Sequence, residues 1–203
     1  MKTALIILAA GKGTRMNSDL PKVLHPIAHA PLLEHAMASG AALDPSRIVV
    51  VAGHGIDQVR TAALAFHEGA EVVEQNEQLG TAHAVDQAKD ALAGFDGMAV
   101  VLFGDTPFVQ PETLEKMHSA LSSHDVVVLG FEAADPARYG RLILQGETLQ
   151  RIVEFKDASE EERAITLCNS GVIACKSELL FDLIKDVGND NASEEYYLTD
   201  IIG

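Results

Sequence analysis

Hydrophobic positions in the first two thirds of the chain form short continuous runs, separated by stretches with a helical period. The runs lie at residues 4–8, 48–51, 72–73, 99–103 and 126–131. Continuous apolar runs of this length are typical of strands that are covered on both faces, as in a parallel sheet. We therefore expect the first two thirds of the chain to contribute the strands of a buried sheet.

Between these runs, apolar residues recur every three or four positions, as on one face of a helix. The stripes comprise Leu32, Leu33, Ala36 and Met37; Val59, Ala62, Ala63 and Phe66; and Leu114, Met117 and Leu121. Pro31 and Pro111 precede two of them, and proline is favoured at a first helical position. Thr81 is expected to cap a helix that runs to about Leu92. Strands alternating with helices predict βαβ crossovers and a doubly wound α/β sheet.

After about Tyr139 the apolar runs become shorter, as in RLILQ, LQRIVEF and SGVIA, and an amphipathic helix is expected over 178–187. These pieces predict a mixed or antiparallel addition to the sheet. No internal repeat or low-complexity linker divides the chain. We expect a single domain over 1–203, with a main part over about 1–138 and a smaller lobe over about 139–203.

Charge narrows the range of partners. The 203 residues include 15 basic and 30 acidic side chains, a net charge of −15. This balance argues against nucleic acid or a membrane surface as a partner. The first 25 residues nevertheless carry four basic side chains against one acidic, a local charge of +3, from Lys2, Lys12, Arg15, Lys22 and Asp19. A positive cluster in an acidic protein indicates a site for a small anion.

Two features favour the cytoplasm. The apolar run 4–10 is shorter than a membrane span and continues into a glycine turn instead of a cleavage site. Cys168 and Cys175 lie in a segment that has an extended pattern, so seven residues at about 3.3 Å each would separate them by about 23 Å. That distance is too long for a disulfide, and we expect two buried free thiols.

The glycine-rich stretch ILAAGKGTRMNSDLPK, residues 7–22, matches neither familiar phosphate-binding fingerprint. Met16 stands where a dinucleotide fingerprint needs its third glycine, and the spacing of a P-loop is absent. Glycines after a strand still let backbone N–H groups approach an anion, and Lys12 and Arg15 can add charge-assisted bonds. The residues alone leave open whether this is an anion site or a solvated basic loop.

Ligands of doubly wound sheets bind outside the carboxyl ends of the strands. This rule selects the loop after Leu8, the turn at 53–55 and the FGDTP segment at 103–107. Asp105 follows an apolar strand and a glycine, so its carboxylate is expected to emerge at this edge and face the first loop. The alternative interpretation is an ordinary turn aspartate before Pro107.

Several segments, in order along the chain, resemble the sugar-nucleotide pyrophosphorylases. LAAGKGTRMNSDLPK matches the signature L-A-[AG]-G-x-G-T-R-[ML] followed by P-K. The others are EQNEQLGTAHA (74–84), FGDTP (103–107), YGRL (139–142), IVEFKDA (152–158), CNSGV (168–172) and EEYYLTDII (194–202). The chain is most similar to the uridyltransferase domains of the bifunctional N-acetylglucosamine-1-phosphate uridyltransferases/glucosamine-1-phosphate acetyltransferases. The resemblance implies a Rossmann-like mixed sheet of the nucleotide-diphospho-sugar transferase type.

The resemblance also implies a reaction and its residues. UTP and N-acetylglucosamine 1-phosphate would form UDP-N-acetylglucosamine, a precursor for cell-wall polymers, and pyrophosphate, with Mg²⁺ as cofactor. The implied catalytic residues are Arg15, Lys22 and Asp105, with Asp105 as the Mg²⁺ ligand. The implied residues of the nucleotide side are Leu8, Ala9, Ala10, Gly11, Lys22, Gln75, Gly80, Thr81, Phe103, Gly104 and Asp105. The implied residues of the sugar lobe are Gly140, Glu154 and Asn169.

Such a reaction explains why no nucleophile–base pair need be sought. The attacking phosphate oxygen is already ionised near neutral pH, since the second pKa of a phosphate monoester is about 6. The difficulty is electrostatic, because a dianion must approach a polyanion in line with the departing pyrophosphate. Positioning and charge neutralisation then carry most of the catalysis.

The sequence departs from the family pattern at three points. Phe103 replaces a frequent tyrosine, and Ala82 replaces the second glycine of QLGTGHA. The second metal ligand implied by the family, an asparagine downstream of YYLTDII, has no counterpart in these residues, because Asn189 and Asn191 precede that segment. The acetyltransferase β-helix half is likewise outside the 203 residues, so a homotrimer is expected only for a longer parent protein.

Two rival interpretations stay open at this point. One is a nucleotidyltransferase for another sugar 1-phosphate, or for CTP or GTP, because one or two pocket contacts can change specificity. The other is a regulatory domain that binds a sugar nucleotide without turnover. Retention of Arg15, Lys22 and Asp105 favours an enzyme.

Overall fold

An eight-stranded mixed sheet forms the centre of the computed structural model, which describes residues 2–11, 13, 16 and 18–203. The strands are β1 (Thr3–Ala9), β2 (Pro26–Ile27), β3 (Ala30–Pro31), β4 (Arg47–Ala52), β5 (Glu71–Glu74), β6 (Met98–Phe103), β7 (Val126–Glu132), β8 (Arg141–Gln145), β9 (Thr148–Val153) and β10 (Leu167–Lys176). The helices are α1 (Leu32–Ala41), α2 (Ile56–Phe66), α3 (Thr81–Asp86), α4 (Pro111–Ala120), α5 (Glu160–Arg163) and α6 (Ser177–Ile184). Short 3₁₀ turns cover Lys22–Leu24 and Leu198–Ile201, and β2 and β3 form a separate hairpin.

The strand order is β5-β4-β1-β6-β10-β8-β9, with β7 on the other side of β10. The first four of these strands run parallel, and Leu8 at the end of β1 lies beside Val51 of β4 and Phe103 of β6. The carboxyl ends of β1, β4 and β6 therefore meet at one edge. β10 is antiparallel to β6 and carries β8 and β7, so the second half of the chain extends the same sheet.

Two hydrophobic clusters cover the two faces of the sheet. Alternate residues of β1 belong to the two clusters, with Leu5 and Ile7 in one and Ala4 and Ile6 in the other. Helices α1, α2 and α4 pack on the first face, and α3 and α6 pack on the second. Burial on both faces is the physical reason why β1 reads as a continuous apolar run.

The structure confirms the predicted alternation of strands and helices. The five apolar runs form β1, β4, β5, β6 and β7, and the three stripes form the buried faces of α1, α2 and α4. The later pieces form β8, β9 and β10, with β8 and β9 antiparallel as expected. The amphipathic helix predicted over 178–187 is α6, which begins and ends earlier.

Three predicted helix boundaries were wrong. Pro31 directly precedes α1 instead of forming its first residue. Thr81 is the first residue of α3 and not its cap, because its hydroxyl accepts a hydrogen bond from the backbone N–H of Leu198 (2.8 Å). The helix ends at Asp86 and not near Leu92, since the following backbone hydrogen bonds, such as Lys89 N–H to the Asp86 carbonyl (3.1 Å), close tighter three-residue turns.

Cys168 and Cys175 are buried free thiols in β10, as predicted. Burial raises the pKa of Cys175 to about 12 and also raises that of Cys168. Both side chains are therefore protonated and unreactive at neutral pH.

No helix among the described residues is long and apolar enough to cross a bilayer.

Candidate functional site

The carboxyl edge of the parallel strands opens into a first cavity of about 290 Å³. Its walls come from the end of β1, the 3₁₀ turn, the loop between β5 and α3, and the end of β6. The lining residues are Leu8, Ala10, Gly11, Lys22, Val23, Gln75, Gln78, Gly80, Thr81, Ala84, Phe103, Asp105 and Glu195. The cavity therefore lies at the edge of the sheet where the sequence predicts ligand binding.

Most residues predicted for the nucleotide side line this cavity, but two described ones do not. The side chain of Ala9 belongs to the hydrophobic core under the sheet. Gly104 lies behind the wall, where its N–H donates to the Leu8 carbonyl (2.9 Å) and ties β6 to β1. Lys12 and Arg15 lie outside the described residues.

The turn at 53–55 supports the cavity from behind. A Cβ at Gly53 would lie 3.0 Å from the Ala10 carbonyl oxygen, and one at Gly55 would lie 2.4 Å from Cγ of Pro21. The turn packs so closely against the glycine-rich loop that it contributes no lining residue of its own.

Lys22 and Asp105 form an ion pair inside the cavity, from Nζ to Oδ2. Their side chains are 41% and 26% exposed, so water and ligands still reach both charges. The two residues come from segments 83 positions apart. The fold thus places a cation and an anion together beside the carboxyl ends of β1 and β6.

Asp105 fits a magnesium site that is completed by its substrate. Among the described residues, no group of three or more His, Cys, Asp or Glu side chains is arranged to hold a metal ion. Mg²⁺ is commonly bound by one or two carboxylates together with substrate phosphates. An accessible carboxylate next to Lys22, in a wall that also contains Glu195, suits that mode of binding.

The far C-terminal segment holds the loop between β5 and α3. Tyr196 N–H donates to the Leu79 carbonyl (2.8 Å), and Ala82 N–H donates to the Tyr196 carbonyl (2.9 Å). Gly80 sits between them with a φ of +122°, and a Cβ there would lie 2.4 Å from the Tyr196 carbonyl oxygen. Only glycine allows this approach, because both the backbone conformation and the space exclude a side chain.

A second cavity of about 310 Å³ adjoins the first one. It is lined by Thr81, Phe103, Arg138, Tyr139, Gly140, Glu154, Asn169, Ser170, Gly171, Ile173, Glu195, Tyr197, Leu198 and Thr199. Thr81, Phe103 and Glu195 line both cavities. The three residues predicted for the sugar lobe, Gly140, Glu154 and Asn169, all line the second cavity.

A bulge in β10 shapes the wall around Asn169. The pairing with β7 shifts between Asn169 and Ile173, which leaves two additional residues in β10. Gly171 in this bulge has a φ of +89°, and a Cβ there would meet the Phe103 ring at 2.7 Å. Asn169 Oδ1 accepts a hydrogen bond from Gly171 N–H (3.0 Å), so its amide N–H₂ group is the part left for a ligand.

Arg141 is almost completely buried beside this cavity, at 1% exposure. Within the described part of the chain, its guanidinium group donates to backbone carbonyls alone, those of Pro136 (3.4 Å), Ala137 (3.2 Å), Tyr139 and Arg163 (3.0 Å). The cation thereby joins the loop that carries Tyr139 and Gly140 to the end of α5. The second cavity depends on this buried cation for its shape.

Glu154 is a carboxylate in an unfavourable environment. Burial raises its pKa above the ordinary value of 4.5, and a hydrogen bond from the Thr199 hydroxyl (3.3 Å) partly opposes that shift. The negative charges of Asp200, Asp157 and Glu195 raise the pKa further. The ionised form of Glu154 therefore reduces the stability of the folded protein at neutral pH.

Replacement of Glu154 by glutamine is expected to raise the melting temperature at pH 7.5. A raised folded-state pKa means that the carboxyl group stabilises the fold fully below its unfolded pKa and loses that contribution as pH rises through the folded pKa. Thermal unfolding of both proteins from pH 3.5 to 8 should show a difference that shrinks towards zero near pH 4. Glu147→Gln, in an exposed turn, is the control, and an equal gain there would contradict the interpretation.

Sequence reasoning missed the cavity residues of the C-terminal segment. Glu195, Tyr197, Leu198 and Thr199 line the cavities, although no site residue was predicted from EEYYLTDII. The resemblance of that segment was the available signal, but it did not tell which side chains face a ligand.

Comparisons with known proteins identify the family of the chain. Residues 5–170 match the profile of the MobA-like NTP transferase domain. The bifunctional protein GlmU of Ruegeria pomeroyi is 70% identical over 202 residues, which cover 100% of this chain and 45% of that protein. The protein of the same name from Roseobacter denitrificans is 68% identical over 203 residues, with 100% and 45% covered. The chain thus spans less than half the length of these relatives.

Solved structures show the same fold. A UDP-glucose pyrophosphorylase complexed with UDP-glucose superimposes with a TM-score of 0.82 at 20% identity, covering 99% of this chain and 85% of that one. HddC from Yersinia pseudotuberculosis, complexed with GMP-PN, has a TM-score of 0.70 at 22% identity, with 97% and 83% covered. At these identities the likeness establishes the nucleotide-diphospho-sugar transferase fold.

Proposed function

Because the chain belongs to the MobA-like NTP transferase domain family, we propose that it transfers a uridylyl group from UTP to N-acetylglucosamine 1-phosphate. The products are UDP-N-acetylglucosamine and pyrophosphate. The observation that carries the proposal is the pair of adjoining cavities. Lys22 and Asp105 line the first, Gly140, Glu154 and Asn169 line the second, and Phe103 and Thr81 lie between them.

The first cavity suits the nucleotide. Backbone groups of Ala10 and Gly11 follow β1 and lie beside Lys22, where a triphosphate would extend along the edge of the sheet. Gln75 and Gly80 form the opposite wall, where the base would lie. The names of the relatives support uridine, and Arg15 is proposed to assist Lys22 on the phosphates.

The second cavity suits an acetylamino sugar. The Glu154 carboxylate accepts hydrogen bonds from sugar hydroxyl groups, and the free N–H₂ group of Asn169 donates to a carbonyl or hydroxyl oxygen. Gly140 lies so close to Glu154 that a Cβ would sit 3.3 Å from Oε1, so a larger residue there would crowd the carboxylate. The lobe over about 139–203 is accordingly proposed as the sugar-binding part of the domain, and 1–138 as the nucleotide-binding part.

The reaction is an in-line displacement at the α-phosphorus. A phosphate oxygen of the sugar 1-phosphate forms the new P–O bond as the bond from the α-phosphorus to the bridging oxygen breaks, and pyrophosphate leaves with that electron pair. Lys22 stabilises charge on the phosphate oxygens as a point cation. Its ion pair with Asp105 must open for this, so substrate binding replaces one internal ion pair by contacts to the nucleotide.

Asp105 is the proposed ligand of Mg²⁺. The bound ion would supply positive charge that offsets repulsion between the two reacting phosphates. Asp105 has the accessible carboxylate oxygens for this role, and its ion pair with Lys22 orients the carboxylate until the substrate arrives. The cytoplasm is the proposed compartment, where the buried thiols of Cys168 and Cys175 stay reduced. A homotrimer is proposed only for a protein in which this domain is joined to the acetyltransferase half.

Release of pyrophosphate from a panel of substrates tests the proposal. UTP, CTP, GTP and TTP are each combined with N-acetylglucosamine 1-phosphate and glucose 1-phosphate, with and without Mg²⁺. We expect the highest kcat/KM for UTP with N-acetylglucosamine 1-phosphate and Mg²⁺. An equal rate with glucose 1-phosphate would overturn the sugar assignment, and binding of UDP-N-acetylglucosamine without any turnover would favour a regulatory domain.

A further inference from the structure

The amide group of Gln75 is held by two acceptors. Gln75 is 3% exposed, and its Nε2 donates to the Gly80 carbonyl (3.1 Å) and to Nδ1 of His83 (3.0 Å). An amide nitrogen carries two protons, so these bonds use both of them. Among the residues that the structure describes, no donor bonds to Gln75 Oε1. This oxygen is the polar atom that Gln75 can offer to the first cavity, which it lines.

The orientation of this amide follows from its partners. The Gly80 carbonyl accepts hydrogen bonds only, so the atom of Gln75 beside it must be the nitrogen. Nδ1 of His83 must then be the unprotonated ring nitrogen, with the ring proton on Nε2. If the amide turned over, Oε1 would face the Gly80 carbonyl oxygen, and His83 would lose the proton that it accepts.

His83 acts from behind the wall of the cavity. It is half-buried in α3, and it does not line the first cavity. Its backbone carbonyl accepts from Nε2 of Gln87 (2.9 Å), which helps to anchor the helix at this turn. The imidazole therefore contacts the residue that faces the ligand and not the ligand itself.

We propose that His83 is a positioning residue for nucleotide-base selectivity, because it holds Gln75 with its oxygen towards the base. The proposal rests on the proposed function, in which the base lies against Gln75. Uracil carries an N–H at ring position 3, which donates a hydrogen bond to a carbonyl oxygen. Cytosine carries a lone pair at the same position, and a fixed oxygen repels it. An amide free to turn over would present its N–H₂ group and accommodate cytosine.

A nearly isosteric pair of variants tests this role. His83→Asn keeps an acceptor, its Oδ1, near the position of Nδ1. His83→Leu removes the acceptor, and leucine has almost the same volume as histidine. Dissociation constants of UTP and CTP are measured by titration calorimetry on the full 203-residue chain. The wild type and His83→Asn should keep their preference for UTP, and His83→Leu should reduce the UTP/CTP affinity ratio by about tenfold, the scale of one hydrogen bond.

Two further readouts separate positioning from a general loss of structure. Binding of inorganic pyrophosphate should be unchanged in both variants, since it does not contact Gln75. The side-chain amide NMR signals of Gln75, assigned by Gln75→Glu, should shift in His83→Leu and stay near the wild-type position in His83→Asn.

The outcomes distinguish this inference from the proposed function. If wild-type protein prefers UTP and His83→Leu keeps the same ratio, the role of His83 is overturned and the function stands. Equal loss of the ratio in both variants also overturns it. A wild type that binds CTP as well as UTP would overturn both.

Discussion

Replacement of Asp105 by asparagine is expected to remove the effect of Mg²⁺ on UTP binding and to lower kcat by about 100- to 1000-fold, the range for losing one preorganised electrostatic contact. Asparagine has nearly the same shape but lacks the negative charge with which the Asp105 carboxylate would hold Mg²⁺. The variant also releases Lys22 from its ion pair. Without Mg²⁺, UTP should therefore bind at least as tightly to the variant as to the wild type.

Titration calorimetry of UTP with and without Mg²⁺ measures both effects on the same protein. Asp90→Asn removes a carboxylate from an exposed turn and serves as the control, with no change expected. If Asp105→Asn retained the full magnesium effect, Asp105 would not be the metal ligand. If the variant bound UTP more weakly in the absence of metal, the ion pair with Lys22 would have to serve the nucleotide in another way.

Replacement of Arg141 by methionine is expected to lower the free energy of unfolding by about 2–4 kcal/mol. The change leaves the carbonyls of Pro136, Ala137, Tyr139 and Arg163 buried without their common donor. For a chain of this length the melting temperature should fall by about 5 to 15 °C. Because the same carbonyls fix the wall of the second cavity, the affinity for sugar phosphate should fall more than that for UTP.

Thermal unfolding and ligand titrations on the same samples check this result. Arg47→Met, at an exposed position at the start of β4, is the matched control. Arg141→Lys keeps the charge but not the branched set of donors. Its melting temperature should therefore lie between those of Arg141→Met and the wild type. A melting temperature of Arg141→Met within about 2 °C of the wild type would show that other groups or water satisfy these carbonyls.

The sequence predicted the elements whose residues carry their own signal. β1 is covered on both faces, so all its positions after Thr3 are apolar and the strand can be predicted without tertiary information. The helix α1 has its buried stripe at Leu32, Leu33, Ala36 and Met37, which is visible for the same reason. The carboxyl edge followed from the parallel order of these strands. Asp105 was expected there because it follows an apolar run and a glycine.

The features that escaped sequence reasoning depend on partners distant in the chain. Threonine is a residue type that often caps a helix, but the hydroxyl of Thr81 accepts its hydrogen bond from Leu198, 117 residues away. The bulge of β10 at Asn169 exists only against β7. From the sequence, Arg141 cannot be distinguished from an ordinary surface arginine, because the backbone carbonyls that accept its hydrogen bonds carry no sequence signature. The roles in the sugar lobe came from resemblance, since Glu154 and Asn169 alone have no distinctive spacing.

The bonds from Tyr196 and Leu198 to the loop at 79–82 have a consequence for protein synthesis. A ribosome that adds about 5–20 residues each second needs roughly 6 to 23 s to pass from Thr81 to Leu198. Throughout that interval the emerging chain holds β1 and β4 but lacks the segment that orders this loop. Nascent protein should therefore acquire affinity for nucleotide late and abruptly, after its parallel strands are already available.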